Sequence, residues 1–173
     1  LARTMTWKCA LAELPFGGGK SVIIFRKEDA DKKFDFIKEF AKAIKPICPS
    51  IYIAAPDINT SEKEMQLFVE ANGNFNAATG KPLALCQSIH GKKVCGLPHE
   101  LGSTGLGVAH ATEVALKHKK INIKNATIAI EGFGNVGTFA FQNLENMGAK
   151  IVAVSDSKGA LYNESGINYE EIY

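Results

Sequence analysis

A glycine-rich turn set between two short apolar runs constrains the fold of this chain most. Residues 132–137 read GFGNVG and directly follow the apolar run at 126–131. Residues 135–146 then have helical spacing, and a second apolar run follows at 149–155. Strand, crossover helix and strand make a βαβ unit, whose right-handed connection gives parallel strands. The second half of the chain is therefore predicted to begin a doubly wound parallel sheet.

The spacing inside this turn is typical of a dinucleotide-binding site. Gly132 allows the tight turn, Gly134 lets a pyrophosphate approach the backbone, and Gly137 lets helix and strand pack closely. Asn135 and Val136 begin the helix, and a helix N-terminus offers unpaired N–H groups to phosphates. The alternative is a tight strand–helix turn without a ligand.

A carboxylate follows the second strand of the same unit. Asp156 lies about 20 residues after Gly137, the usual separation for a group that accepts hydrogen bonds from an adenosine ribose. Its charge repels a 2′-phosphate and favours NAD, whereas Ser157 and Lys158 are suited to accommodate one. Both NAD and NADP therefore stay open as the cofactor.

The first half of the chain has another glycine-rich stretch, which ends in a lysine. Residues 14–20 read LPFGGGK, and the leucine at its start replaces the first glycine of a phosphate loop, which disfavours a nucleotide triphosphatase. Lys20 is either a surface amine or a buried lysine with a lowered pKa that acts on a carbonyl or imine. Lys8 is a candidate to bind a substrate carboxylate, and Asp57 is a candidate acid or base.

Periodicity predicts the remaining elements of an α/β protein. Short β-branched runs predict strands at 21–25 and 51–54, and helical spacing predicts an amphipathic helix at 33–44. Residues 61–64 read SEKE, a capping-box pattern that begins a helix running to about Ala71.

The segment at 72–102 is rich in Gly, Pro, Asn and Ser, which predicts a junction between two domains. We expect residues 1–95 to form a substrate domain with a mixed sheet. Residues 102–173 are expected to form the start of a Rossmann doubly wound parallel sheet.

Composition excludes several classes of function. With 46% hydrophobic and 22% charged residues the chain is ordinary for a globular protein, and its net charge of +2 shows no basic face for nucleic acid. No apolar run approaches the roughly 18 residues of a membrane span, so no membrane partner is expected. Four cysteines without a dense framework fit a reducing cytoplasm. The chain starts at Leu1 rather than Met, and we expect an internal fragment.

Four co-linear groups of residues resemble the glutamate, leucine, phenylalanine and valine dehydrogenase family. They are residues 5–8 (MTWK) with 15–20 (PFGGGK), 55–60 (APDINT), 103–108 (STGLGV), and 132–137 with 154–159 (VSDSKG). The resemblance covers nearly the whole chain and keeps the order of the family.

The resemblance implies hydride transfer from Cα of an L-amino acid to NAD(P)⁺, which leaves a 2-oxo acid and ammonia. Lys8 would bind the α-carboxylate, Lys20 would be the catalytic lysine, and Asp57 would carry protons to and from the nitrogen. Thr104 would lie near the nicotinamide carboxamide. The family also implies a homo-oligomer for the full-length form, and we expect the isolated segment to be inactive.

The choice of substrate rests on two segments that disagree. Residues 17–24 favour the branched-chain and aromatic members, and residues 55–60 favour the glutamate members, which we choose. A leucine or phenylalanine dehydrogenase and a non-catalytic nucleotide-binding remnant stay open as alternatives.

Two Cys-x₃-His units also match a tetrahedral zinc site in residue type and spacing. They are Cys86 with His90 and Cys95 with His99. The family has no such metal, and we predict none.

Overall fold

Six α-helices and five strands are present in the part of the chain that this computed structural model describes, residues 1–98 and 101–172. The helices are α1 (Ala2–Leu11), α2 (Lys33–Ala43), α3 (Glu62–Asn72), α4 (Ser103–His118), α5 (Asn135–Asn146) and α6 (Tyr169–Ile172). The strands are β1 (Cys86–Ile89), β2 (Lys92–Cys95), β3 (Thr127–Glu131), β4 (Lys150–Ser155) and β5 (Ala160–Tyr162). The chain divides into two compact units, Leu1–Pro98 and His99–Tyr173. Tyr173, which ends the second predicted domain, lies outside the described residues.

The core of the first unit lies between α2 and α3. Ile37 and Ala41 are the buried residues of the α2 stripe, and they belong to the same cluster as Phe68 and Val69 of α3. The rings of Phe40 and Phe68 meet with their centroids 6.0 Å apart, a usual separation for an aromatic pair. The predicted amphipathic helix is thus confirmed, and its apolar face packs against α3.

Helix α3 begins with the capping box that its sequence predicts. The N–H of Ser61 donates to Oε2 of Glu64 over 2.6 Å. Glu64 also accepts a hydrogen bond from Nζ of Lys33 on Oε1, at 2.7 Å. Oε2 of Glu64 therefore caps α3, and Oε1 of the same side chain joins α3 to the first turn of α2.

The strands predicted at 21–25 and 51–54 are wrong. The first forms no strand pairing, and the second contributes only an isolated parallel bridge between Ala54 and Ala78. A strand exists only where its backbone pairs with a neighbour, and apolar β-branched residues do not provide that neighbour. Ile24, for example, is 91% exposed. The only sheet described in the first unit is the antiparallel hairpin β1–β2, so the mixed sheet expected at 1–95 is absent from the described residues there.

This hairpin lies inside the segment that was interpreted as a loop junction. Cys86 and Cys95 are directly opposite each other and are joined by a disulfide. His90 and Gly91 form the turn with φ of 49° and 75°, the positive values that a two-residue hairpin turn requires. The two strands are short and mostly exposed, which is why their alternation did not stand out in the sequence.

The second unit contains the predicted βαβ unit. Strands β3 and β4 are parallel, helix α5 connects them, and β5 returns antiparallel to β4. Their core contains Phe141, Leu144, Ile151 and Val154, from α5 and β4. The mixed α/β class is therefore as predicted, with the mixed sheet in this unit. Strand β5 was not predicted because its three exposed residues are too few to show an alternating pattern.

No helix among the described residues is long and apolar enough to cross a membrane.

Candidate active site

Lys20 and Asp57 form an ion pair in the first unit. Nζ of Lys20 contacts Oδ2 of Asp57, and the two side chains are 28% and 47% exposed. The sequence proposed both as catalytic residues but gave no measure of their separation. The structure brings an ammonium and a carboxylate into direct contact. Both groups are partly exposed to solvent, so a substrate can reach them.

The glycine loop before Lys20 is fixed by close contacts on both sides. The N–H of Gly18 donates to Oγ1 of Thr6 at 3.0 Å, and that hydroxyl donates to the carbonyl of Ala2 at 3.2 Å. A Cβ at Gly18 would overlap these backbone atoms of α1, and a Cβ at Gly19 would lie 3.0 Å from the Tyr52 ring. Gly18 and Gly19 are therefore required for packing, and the loop that carries Lys20 is held on both sides.

Asp57 is held by its own tight loop. Its Oδ1 accepts a hydrogen bond from the N–H of Ile58 at 2.8 Å, and its N–H donates to Oγ1 of Thr60 at 2.7 Å. The N–H of Thr60 donates back to the Asp57 carbonyl at 2.9 Å, and Asn59 has a positive φ of 60°. One carboxylate oxygen thus fixes the loop and the other meets Lys20.

Lys8 lies in the last turn of α1, the helix that carries Thr6. Its side chain is exposed, and no described residue forms an ion pair or hydrogen bond with its ammonium. The structure does not bring Lys8 into the Lys20–Asp57 pair. Its ammonium is available for a ligand.

The glycine turn of the second unit is open where a ligand would approach. Gly132 has a φ of +91°, and Cβ atoms built at Gly132 and Gly134 would have no neighbour within 4 Å. A Cβ at Gly137 would instead overlap the carbonyl of Gly132. The N–H of Gly132 donates to the Ser155 carbonyl at 2.8 Å, which fixes the turn to the end of β4. This geometry suits a dinucleotide pyrophosphate.

Asn135 and Val136 form the first turn of α5, directly after the turn. Both are exposed, with Val136 at 42%. The first N–H groups of an α-helix have no partner inside the helix, and they attract anions together with the helix dipole. These two residues therefore offer exposed backbone N–H groups, which are the donors that a phosphate at this helix end would use.

Asp156 is fixed in the loop between β4 and β5. Its Oδ1 accepts hydrogen bonds from the N–H groups of Lys158 and Gly159, at 2.7 and 3.1 Å. A shallow cavity of about 370 Å³ beside this loop is lined by Asp156, Lys158 and Phe133 among others. Ser157 is exposed in the same loop. The same cavity is therefore lined by Asp156, whose carboxylate would repel a 2′-phosphate, and by Lys158, whose ammonium would attract one.

Thr104 lies in the first turn of α4 and is exposed. The turn before it depends on Gly102, which has a φ of +79°. Gly105 packs closely on α5, because a Cβ there would lie 2.5 Å from Cβ of Phe139. Thr104 is thus placed on a firmly packed helix end, with its hydroxyl open to solvent.

The candidate zinc ligands Cys86, His90 and Cys95 form no metal-binding cluster among the described residues. Cys86 and Cys95 are bonded to each other, and His90 is exposed in the hairpin turn. His99 lies outside the described residues. With both sulfurs in a disulfide, neither cysteine offers the thiolate that zinc binds.

Sequence reasoning missed the residues that fix the site. Thr6 and Tyr52 hold the glycine loop, and Thr60 closes the Asp57 loop. Thr6 lies in the MTWK segment and Thr60 in APDINT, so both were inside recognised motifs without a role. Tyr52 carried no signal, because its contact with Gly19 depends on the folded chain.

Comparison with known proteins finds two matching family models. One, described as Glutamate/Leucine/Phenylalanine/Valine dehydrogenase, matches residues 96–173. The other, described as Glu/Leu/Phe/Val dehydrogenase, dimerisation domain, matches residues 1–73. Together they account for most of the chain, in the order of the two structural units.

Individual proteins agree with these models. The chain is 37% identical over 180 residues to a glutamate dehydrogenase of Aeropyrum pernix, covering 99% of this chain and 41% of that protein. It is 35% identical over 179 residues to an NAD-specific glutamate dehydrogenase of Staphylococcus aureus, covering 98% and 41%. A hetero-hexameric glutamate dehydrogenase of Thermus thermophilus, solved in a Leu-bound form, superimposes with a TM-score of 0.81 at 25% identity, covering 99% and 41%. The chain spans about two fifths of the length of the curated relatives it matches.

Proposed function

We propose that this chain, which belongs to the glutamate/leucine/phenylalanine/valine dehydrogenase family, is part of an enzyme that oxidatively deaminates an L-amino acid. The observation that carries the proposal is the contact between Lys20 and Asp57. An ammonium and a carboxylate in contact can hold and move protons on a reacting carbon–nitrogen centre. The open glycine turn in the same chain supports a nicotinamide dinucleotide as the second reactant.

Each of the three charged side chains has a distinct task in this reaction. Lys8 binds the α-carboxylate, which keeps its charge throughout. Asp57 takes the proton that the substrate ammonium loses and later returns protons to the departing ammonia. Lys20 polarises the oxygen of the carbinolamine and assists the attack of water that forms it. The dinucleotide, when bound, supplies the acceptor for the hydride from Cα.

The reaction balances without a further reagent. The L-amino acid, bound as its ammonium form, loses a proton to Asp57 and a hydride from Cα to give an iminium, and water adds to the iminium carbon as it gives up a proton. Loss of ammonia from the carbinolamine gives the 2-oxo acid. Asp57 and Lys20 are the groups that exchange protons with these species, because their charged atoms meet in one place.

L-glutamate is the substrate that we propose, with NAD as the cofactor. The relatives described above are named glutamate dehydrogenases, and one is named NAD-specific. The carboxylate of Asp156, fixed by two backbone amides, supports NAD because it repels a 2′-phosphate. Lys158 lines the same cavity and is the residue through which NADP would be accepted.

We assign residues 1–95 to substrate binding and chemistry and residues 102–173 to the cofactor. The full-length protein is proposed to be a homo-oligomer. A dimerisation-domain model that matches residues 1–73 supports an oligomer, as does the hetero-hexameric relative of known structure; that the subunits are identical is our proposal.

The test is steady-state kinetics of the full-length protein that contains this chain, with L-glutamate and NAD⁺ as substrates. We expect Lys20→Ala and Asp57→Asn each to lower kcat by roughly 10²–10⁴-fold, as for the loss of an acid–base group. Lys8→Ala is expected to raise KM with a smaller effect on kcat, because the carboxylate it binds does not change during the reaction.

Lys42→Ala is the matched control, since Lys42 is an exposed lysine of the same unit whose partner is Glu39. Lys42→Ala should leave kcat and KM unchanged. Wild-type turnover by Lys20→Ala or Asp57→Asn would sink the proposal. L-leucine, L-valine and L-phenylalanine in the same assay decide whether glutamate is the preferred substrate.

A further inference from the structure

A buried lysine lies next to the Asp57 loop and has no part in the chemistry proposed above. Lys81 is only 7% exposed. Its Nζ donates to the carbonyl of Phe75 at 2.8 Å and to the carbonyl of Ala78, and it lies 4.1 Å from the centre of the Phe75 ring. Burial lowers the pKa of Lys81. Its described partners are thus carbonyl dipoles and a ring, rather than a carboxylate.

Those partners matter because an unpaired buried polar group is costly. Removing the ammonium would leave the carbonyls of Phe75 and Ala78 without this donor, and a carbonyl that loses its donor away from water is destabilised. The carbonyls therefore stay where the ammonium can reach them. Lys81 fixes residues 75–81, which we call the Asp57 seat.

The chain that leads to Asp57 rests on this seat. The N–H of Ala54 donates to the carbonyl of Ala77 at 2.9 Å, and the N–H of Thr79 donates to the carbonyl of Ala54 at 2.8 Å. Ala54 also forms a parallel bridge with Ala78. Ala77 and Ala78 are 0% and 1% exposed. The middle of the seat, Ala77 and Ala78, is therefore buried, and the seat is paired with Ala54, three positions before Asp57.

A second contact transmits the position of the seat to Asp57 itself. Gly80 has a φ of +64°, and a Cβ built there would lie 2.5 Å from Cδ of Pro56. The ring of Pro56 thus lies directly on Gly80. Because Pro56 has a fixed φ and immediately precedes Asp57, a shift of the seat would move the carboxylate relative to Lys20.

We propose that Lys81 is a positioning residue for Asp57. Its ammonium holds the Asp57 seat, and the seat fixes the direction in which the Asp57 carboxylate meets Lys20. The inference rests on the proposed function, in which Asp57 transfers protons. It adds a residue that acts on the rate of the chemical step through Asp57, without a proposed contact to the substrate.

Lys81→Met removes the ammonium and keeps the length of the side chain, and Gly80→Ala disturbs the contact with Pro56 directly. The variants are assayed in the full-length protein with L-glutamate and NAD⁺. We expect each to lower kcat by roughly 10–100-fold, the effect of misplacing a catalytic group by about 1 Å. The Kd for NADH should stay within about twofold, because the glycine turn lies in the other unit.

A double-mutant cycle with Asp57→Asn separates positioning from general destabilisation. If Lys81 acts through Asp57, Lys81→Met should not lower kcat further in the Asp57→Asn background. Additive losses in the double variant would overturn the proposal. Wild-type kcat in Lys81→Met with a lowered melting temperature would also overturn it, because Lys81 would then contribute to stability alone.

The same experiment keeps the two proposals apart. Wild-type turnover by Asp57→Asn would remove the proposed function. A large loss in Asp57→Asn with full turnover in Lys81→Met would remove the positioning role alone. If Lys81→Met does not fold, Gly80→Ala decides, and its full turnover would overturn the role of the seat. Lys42→Met, at an exposed lysine of the same unit, is the control and should have wild-type kcat.

Discussion

Asp156 illustrates how one side chain can have a structural and a selective role that separate variants can distinguish. Its Oδ1 accepts hydrogen bonds from two backbone amides of its own loop, so Asp156→Ala would alter the loop as well as the charge. Asp156→Asn keeps an oxygen for those amides and removes only the charge. The asparagine variant is therefore the sharper probe of cofactor choice.

We expect Asp156→Asn to shift the preference toward NADP, because the repulsion of a 2′-phosphate is removed while Lys158 remains in the cavity. Titration with NADH and NADPH, followed by their fluorescence, measures the two Kd values. The ratio Kd(NADH)/Kd(NADPH) should rise by about tenfold. An equal change for both cofactors would contradict a selective role, and Ser165→Ala, at an exposed serine of the same unit, serves as a control.

At the same scale, the sequence pointed to the two charged residues that form the ion pair but not to those that fix them. Lys20 and Asp57 were found because glycine and proline next to a charged residue are visible in the sequence. Thr6 and Lys81 were not, since their roles depend on contacts with backbone that is distant in the chain or hidden in a loop. A buried lysine cannot be told from a surface lysine without the fold.

At the scale of elements, local signals predicted helices more accurately than strands. Helices α2, α3 and α5 make their hydrogen bonds within themselves, so periodicity and caps are enough to find them. Strands need partners, and the runs at 21–25 and 51–54 have the composition of strands without a described ladder. Strands β3 and β4 were predicted correctly because the glycine turn and the crossover helix specify their pairing.

The junction of α2 and α3 gives a prediction at this scale. Burial alone would raise the pKa of Glu64, but hydrogen bonds from Lys33 and Ser61 lower it to about 2 from an ordinary 4.5. A lowered carboxyl pKa contributes stability that is present above pH 4.5 and lost as the pH falls toward 2. The difference corresponds to roughly 3 kcal/mol in the free energy of unfolding.

Glu64→Gln should therefore lower the free energy of unfolding at pH 7 by roughly 3 kcal/mol, measured by urea denaturation. The gap to wild type should close as the pH is lowered from 4.5 to 2. A gap that is the same at pH 7 and pH 2 would mean that Glu64 acts by packing alone. Glu39→Gln, an exposed carboxylate that pairs with Lys42, is the control and should have little effect at either pH.

At the scale of the whole molecule, the chain consists of two units with separate cores. One core contains Phe68 and Val69, and the other contains Phe141 and Ile151. The Lys20–Asp57 pair belongs to the first unit and the glycine turn to the second. Substitutions at sites that share no partners usually act independently, so we expect binding of the cofactor and the chemical step to be separable by mutation.

Gly134→Val tests this separation. A Cβ at Gly134 points into open space, so a valine there would fill the approach to the turn without disturbing the protein. We expect the Kd for NADH, followed by its fluorescence, to rise by about tenfold or more, because the side chain would occupy the space of the pyrophosphate. The melting temperature should be nearly unchanged, since no described atom lies within 4 Å of the added carbon.

Lys20→Ala is the reciprocal variant, and it should lose turnover while keeping the wild-type Kd for NADH. The two variants together decide whether the glycine turn binds a dinucleotide or only connects a strand to a helix. An unchanged Kd in Gly134→Val would make the turn purely structural. A Kd raised equally in Lys20→Ala would show that the two units do not divide binding and chemistry in this way.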